Sequence, residues 1–170
     1  MIRIGIIGDI GSGKSHAAKL FGYPVFNADL EVSKLYKNNK KCYYKLNREL
    51  PKYVVSFPVK KKELSKAISN NTQNLKKIIK IVHPEVRFKM NYFIKKNKNK
   101  KVVILDVPLL MENKINKKND ILIFIDAKRK EINKRSKERK NVNFKVIEKL
   151  RKLQLPIEFK KKKITFYNKK

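Results

Sequence analysis

A lysine that can meet a phosphate, a serine that can hold a metal ion and glycines that let the backbone bend fall within one short stretch, Gly8-Asp9-Ile10-Gly11-Ser12-Gly13-Lys14-Ser15. The stretch reads G-x-x-x-x-G-K-S, the phosphate-binding loop (P-loop) pattern. An apolar run from Ile4 to Ile7 precedes it, and Ala17, Ala18, Leu20 and Phe21 follow at the spacing of a first helix. Strand, glycine loop and helix in that order are the context the motif requires. The glycines allow backbone N–H groups to point inward at phosphate oxygens. The helix opening near Lys14 adds further N–H groups and the positive end of its dipole. In this pattern Lys14 neutralises β- and γ-phosphates, and Ser15 offers its hydroxyl to magnesium.

Two aspartates stand where a nucleotide site would use them. Asp106 closes the apolar run Val102-Val103-Ile104-Leu105. Such a run fits a parallel strand buried on both faces. A carboxylate at its tip either holds magnesium or simply turns the chain before Pro108. The intact P-loop favours the metal role. Asp29 follows the short strand expected over 23–26, and is either a helix N-cap or a group at the mouth of the sheet. Arg135 and Arg139 are spaced to share one helix face. They read as a pair that neutralises a transferring phosphate or as two solvated charges. His83 alone reads as structural, and Arg87 as a phosphate contact or a surface charge.

Around these residues the chain predicts strands over 1–7, 23–26, 101–106, 121–125 and 164–167. Helices are expected over 14–22, 30–36, 63–68, 75–82, 84–95, 128–139 and 144–153, with His83-Pro84 joining two of them. Asp126 is expected to cap the helix that starts at Lys128. Residues from about 38 to 100 form a helical insertion, and Lys160–Lys163 reads as a charge run. The length of 170 residues suits one domain. No run is apolar enough for a membrane helix, the N-terminus offers no cleavable signal peptide, and the single Cys42 excludes an internal disulfide framework. The expected location is cytoplasmic, with no membrane partner.

The net charge of +31 invites a nucleic-acid reading. Lysine, asparagine and isoleucine are all abundant, however, and the lysines are spread along the chain with no basic tail set apart from a neutral core. That pattern is one of drift toward AT-rich codons, and no specific nucleic-acid partner is expected.

Several segments together resemble the dephospho-CoA kinases, P-loop kinases of the nucleoside-monophosphate-kinase type. Gly8–Ser15 is similar to that family's GGIGSGKS loop, and Asn27-Ala28-Asp29 to its D-A-D. Val82-His83-Pro84-Glu85-Val86-Arg87 resembles I-H-P-x-V-R, and Leu105–Glu112 resembles L-D-I-P-L-L-F-E. Ile125-Asp126-Ala127, Arg135, Arg139, Gln154 and Asn168 follow in register. The resemblance implies an α/β three-layer sandwich of about five mostly parallel strands, with a helical insertion after strand two and a small helical lid over about 135–155. It implies transfer of the ATP γ-phosphoryl group to the 3′-hydroxyl of dephospho-CoA, the last step of coenzyme A synthesis, with Mg2+. Gly11, Ser12, Gly13, Lys14, Ser15 and His16 would bind the ATP phosphates. Asp29 would take or orient the acceptor proton, and Ser15 and Asp106 would serve magnesium. Arg135 and Arg139 would belong to the lid. His83, Arg87 and the insertion would hold dephospho-CoA. A monomer is expected.

The departures are Asp9 for glycine, harmless if it points outward, and His16 for threonine, which leaves only a backbone N–H as donor. Asn27 replaces the first aspartate of its motif, which fits that aspartate being dispensable and Asp29 being the acting one. Family members also continue past Asn168 into another helix. Among competitors, another P-loop small-molecule kinase has no reason to carry the H-P-x-V-R and L-D-x-P-L-L segments. A GTPase would need N-K-x-D, whereas Asn116-Lys117-Lys118-Asn119 ends in asparagine. A basic nucleic-acid binder leaves Asp29 and Asp106 unexplained.

Overall fold

The computed structural model describes residues 1–138, 143–164 and 166–169, with the side chains of all but 135–138 and 166–169. The chain forms two compact units, Met1–Asn27 with Phe93–Lys170, and Ala28–Tyr92.

The first unit is built on one sheet. Its strands are β1 (Ile2–Gly8), β2 (Val25–Asn27), β3 (Val102–Asp106), β4 (Ile121–Asp126) and β5 (Phe166–Lys169). They lie in the order β2-β3-β1-β4-β5, and every neighbouring pair is parallel. The chain moves from β1 to one side for β2 and β3 and to the other for β4 and β5. Ligands of open α/β sheets bind where strand order reverses, beyond the carboxyl ends of the strands. The turn after β1 occupies that place. All five residues of β3 are buried, as its unbroken apolar run requires. Helix α1 (Lys14–Leu20) lays Ala17 and Ala18 over Ile6, Val102, Ile104 and Ile125. Their small side chains let the helix sit close to the sheet. β2 begins two residues later than the sequence suggests. Pro24 has no N–H to give to a ladder, and its carbonyl accepts from Ile104 N at 2.9 Å.

The rest of this unit holds α6 (Arg129–Glu138), α7 (Phe144–Arg151) and α8 (Ile157–Lys162). The stretch Lys160–Lys163, which reads as a charge run in the sequence, contributes its first three residues to α8. Lys160 is 3% exposed, with its Nζ 2.7 Å from Glu112 Oε1. The carboxylate that makes this burial possible comes from the segment after β3, far away in the chain. Asp126 pairs with Lys161 at 3.4 Å. The stretch Asn116–Asn119 precedes β4 at the amino edge of the sheet, where Asp120 accepts from Lys117 N and pairs with Arg3, both at 2.9 Å. It is thus at the opposite end of the strands from the P-loop.

Helices α2 (Ala28–Asn38), α3 (Lys40–Glu49) and α4 (Lys61–Asn70) form the second unit with most of α5 (Thr72–Lys96). α3 was not expected, although Asn39 before it is a good N-cap: its side chain accepts from Cys42 N at 2.8 Å. α5 is one helix, where the sequence predicts two joined at His83-Pro84. Pro84 removes one intrahelical hydrogen bond. It lies exposed, as does Lys80, whose carbonyl would have received that bond. The apolar stripe Leu75, Ile78, Val82, Val86 and Met90 is buried on both sides of the proline, and this burial outweighs the missing bond.

Candidate active site

The loop from Gly8 to Ser15 is held by its own backbone. Gly8, Gly11 and Gly13 have φ of 150°, 87° and 95°, values that side chains resist. At Gly8 a Cβ would meet the Ile125 carbonyl oxygen at 2.5 Å and Ser12 Oγ at 2.8 Å. Ser12 N–H donates to the Asp9 carbonyl at 3.2 Å, closing the turn. Among the described residues, the N–H groups of Gly11 and Gly13 donate to no protein acceptor, as an anion-receiving nest requires. Lys14 Nζ lies 2.7 Å from the Asp9 carbonyl and 3.2 Å from that of Gly8. Its ammonium is thus folded over the loop, with backbone oxygens in the place of phosphate oxygens.

Of the other loop residues, Ser15 and His16 are exposed. Ser12 is buried, and its Oγ has no hydrogen-bond partner among the described residues. The Ser12 side chain fills the inside of the turn and is not presented to a ligand. His16 gives its N–H to the Gly13 carbonyl at 3.1 Å.

Three side chains meet at the strand tips. The parallel register sets Asn27 of β2 opposite Asp106 of β3. Asn27 Nδ2 donates to Asp106 Oδ2 at 2.5 Å and reaches Ser15 Oγ at 3.4 Å. Asn27 is therefore engaged with both oxygens. A carboxamide can donate to a carboxylate, which an ionised aspartate cannot. Asp106 is 3% exposed, so this bond also satisfies a buried charge.

These oxygens suit magnesium. A carboxylate and a hydroxyl converging on one small region are hard donors, and Mg2+ in kinases takes one or two protein oxygens with phosphate and water completing its shell. Among the described residues no group of three His, Cys, Asp or Glu side chains could form a fuller cage.

Two further features escape sequence inspection. Asp9 does not point freely outward: its Oδ1 accepts from Ile10 N at 2.6 Å and lies 3.5 Å from Arg151 Nε of α7. Glu112, the last residue of the segment after β3, accepts from Leu155 N at 3.0 Å as well as pairing with Lys160. It therefore ties the α7–α8 connection to the strand that carries Asp106. In both cases the partner's identity could be listed from sequence, but no local signal links the two positions.

The second unit carries Asp29, His83 and Arg87. Asp29 is exposed in the first turn of α2, where the helix dipole favours a carboxylate. Ser33 Oγ donates to its carbonyl at 2.8 Å. His83 and exposed Arg87 are four residues apart on α5. Burial, reinforced by the Arg87 charge, holds the His83 pKa below its ordinary value. Cys42 is buried, and burial pushes its thiol pKa up, with the Glu85 carboxylate adding to the shift. It is an inert core group. The side chain of Arg135 and the whole of Arg139 lie outside the described residues, as does the side chain of Asn168.

Comparison with known proteins places this arrangement. A family model for dephospho-CoA kinase matches residues 2–167. The chain belongs to the dephospho-CoA kinase family. That family consists of ATP-dependent kinases that phosphorylate the 3′-hydroxyl of dephospho-CoA. Dephospho-CoA kinase of Bartonella quintana is 34% identical over 168 residues, covering 96% of this chain and 86% of that protein. The enzyme from the Wolbachia of Brugia malayi is 33% identical with the same coverage. Among solved structures, a Thermus thermophilus protein matches with a TM-score of 0.72 and 29% identity, covering 98% of this chain and 86% of the other. Dephospho-CoA kinase from Campylobacter jejuni shares the fold, with a TM-score of 0.64 and 21% identity over 99% of this chain and 87% of its own. The P-loop kinase fold expected from the sequence is thereby borne out, and among the described residues the sheet has five strands, each neighbouring pair parallel. Among the described residues no helix is long and apolar enough to cross a membrane.

Proposed function

We propose that this kinase moves the γ-phosphoryl group of ATP to dephospho-CoA with the residues gathered at the tips of β1, β2 and β3. The observation that carries the assignment is the meeting of Ser15, Asn27 and Asp106 beside a loop over which Lys14 is folded. Gly11, Gly13, Lys14 and Ser15 receive the ATP phosphates through backbone and ammonium donors, while Ser12 and His16, whose N–H groups go to the Asp9 and Gly13 carbonyls, hold the loop in shape around them. On nucleotide binding Lys14 leaves the Gly8 and Asp9 carbonyls for the β- and γ-phosphates, exchanging one set of oxygens for another.

Ser15 and Asp106 would hold Mg2+, which when bound would supply positive charge to offset that of the ATP phosphates. Asn27 keeps the Asp106 carboxylate and the Ser15 hydroxyl directed to one place. Asp29, two residues beyond Asn27 in the chain, accepts the proton of the ribose 3′-hydroxyl as that oxygen attacks. Arg135 and Arg139 act from a lid over about 135–155 that excludes water during transfer. His83, neutral near pH 7, and Arg87 belong to the dephospho-CoA side, within the helical insertion over about 38–100 of a single kinase domain. Most of the rate comes from positioning and charge stabilisation. The enzyme works as a monomer in the cytoplasm, where ATP is made and a lone thiol stays reduced.

The test is incubation with magnesium-ATP and dephospho-CoA while ADP and coenzyme A are followed. Both products are expected in equal amounts. Turnover only with a nucleoside monophosphate would transfer the assignment to another P-loop kinase. Asp29→Asn is expected to lower turnover by about a hundredfold or more while ATP binding persists. Unchanged turnover would remove Asp29 from its role.

A further inference from the structure

We propose that Arg151 is a positioning residue of the phosphate loop, which cancels the Asp9 carboxylate and thereby sets how tightly the triphosphate is held. The inference rests on the reading of residues 8–15 as the ATP phosphate site.

Asp9 is the second residue of that loop. Its carboxylate is fixed there, because Oδ1 accepts from the neighbouring Ile10 N at 2.6 Å. Its side chain is only 17% exposed, so water screens the charge poorly. A triphosphate entering the loop brings several negative charges to within a few ångströms. An uncancelled carboxylate at this point would weaken binding by about tenfold or more.

Arg151 supplies the cancellation. It is the last residue of α7, with Nε 3.5 Å from Asp9 Oδ1. A C-terminal helix position favours a cation independently of Asp9, so the guanidinium is stabilised where it stands. Its Nε is buried and makes no hydrogen bond among the described residues. The contact is thus one of charge, without the directed hydrogen bonds by which a purely structural arginine ties two segments together. Placing an acid in the loop and its neutraliser on a distant helix makes nucleotide affinity depend on α7 remaining docked beside the loop.

The experiment is titration of the full-length protein with magnesium-ATP by calorimetry, across wild type, Arg151→Gln, Asp9→Asn and the double variant. Asparagine keeps the oxygen that accepts from Ile10 N. Arg151→Gln is expected to raise the Kd for ATP about tenfold, with kcat changed less than about twofold. In the Asp9→Asn background the same change should cost less than about twofold, because no carboxylate remains to be cancelled. Arg151→Lys should restore most of the affinity. Asp9→Asn alone should tighten ATP about threefold or more, since it leaves the arginine charge facing the phosphates, and this arm carries the test if Arg151→Gln does not fold. Equal losses in both backgrounds, no loss in Arg151→Gln, or an Asp9→Asn protein that binds no tighter would each overturn the proposal. A wild-type protein that does not bind magnesium-ATP would overturn the reading of the loop itself, and the proposal with it.

Discussion

At Gly8 an added methyl group would sit 2.5 Å from the Ile125 carbonyl oxygen. At Ile78, in the second turn of α5, removing one would leave a small gap in a row of buried side chains. The first region holds its shape by backbone contacts that cannot yield, and its acceptors and donors are counted one by one. The second holds its shape by burying Leu75, Ile78, Val82, Val86 and Met90 along a stripe, where many hydrophobic residues of similar volume serve. The continuity of α5 through Pro84 shows how tolerant the second kind of order is. A loop built on backbone geometry has no such margin, and this is why a phosphate site is written in consecutive residues.

The comparison can be broken by experiment. Its largest expected effect concerns buried charge, which among the described residues is found in the sheet unit. Lys160→Ala strands the Glu112 carboxylate and should cost about 3–5 kcal/mol in urea unfolding. Lys77→Ala in the helical unit, which breaks a half-exposed pair with Glu49 at 3.6 Å, should cost less than about 0.5 kcal/mol. Similar costs for the two would remove the distinction. Gly8→Ala comes next, at about 3 kcal/mol from strain and overpacking, with loss of measurable ATP binding by calorimetry. An alanine variant that binds normally would show that the loop yields after all. Ile78→Val should cost about 1 kcal/mol and leave ATP affinity unchanged. A change in affinity would mean that packing in α5 reaches the phosphate site.

The smallest effect is a pH dependence. The His83 pKa lies below its ordinary value of 6.5 in the folded protein. The unfolded chain therefore binds the proton more readily. The contribution of His83 to stability is complete above pH 6.5 and is lost as the pH falls through the folded value. His83→Gln should flatten the slope of unfolding free energy below pH 6.5. An unchanged slope would assign the acid sensitivity to other groups.

The candidate site divides along the same line. Gly8–Ser15 could be read as a phosphate loop because its chemistry and its backbone are local, and the apolar run before it marks a buried strand. Asp106 could be read as a strand-tip acid for the same reason. The engagement of Asn27 could not be read, because its partner is 79 positions away. Nor could the burial of Lys160 amid lysines that all look alike, or the pairing of Asp9 with Arg151. In each case the neighbours in sequence are silent and the neighbours in space decide.

By itself, the sequence determined the order of the strands, most of the helices, the loop and the family, since apolar periodicity and glycine spacing act over a few residues. The tertiary structure decided which charges are paired and which oxygens converge. Parallel register sets β2 against β3, and the folding-back of α7 and α8 brings Arg151 to Asp9 and Lys160 to Glu112. Electrostatic interactions depend on distance through space, and only the folded chain fixes those distances.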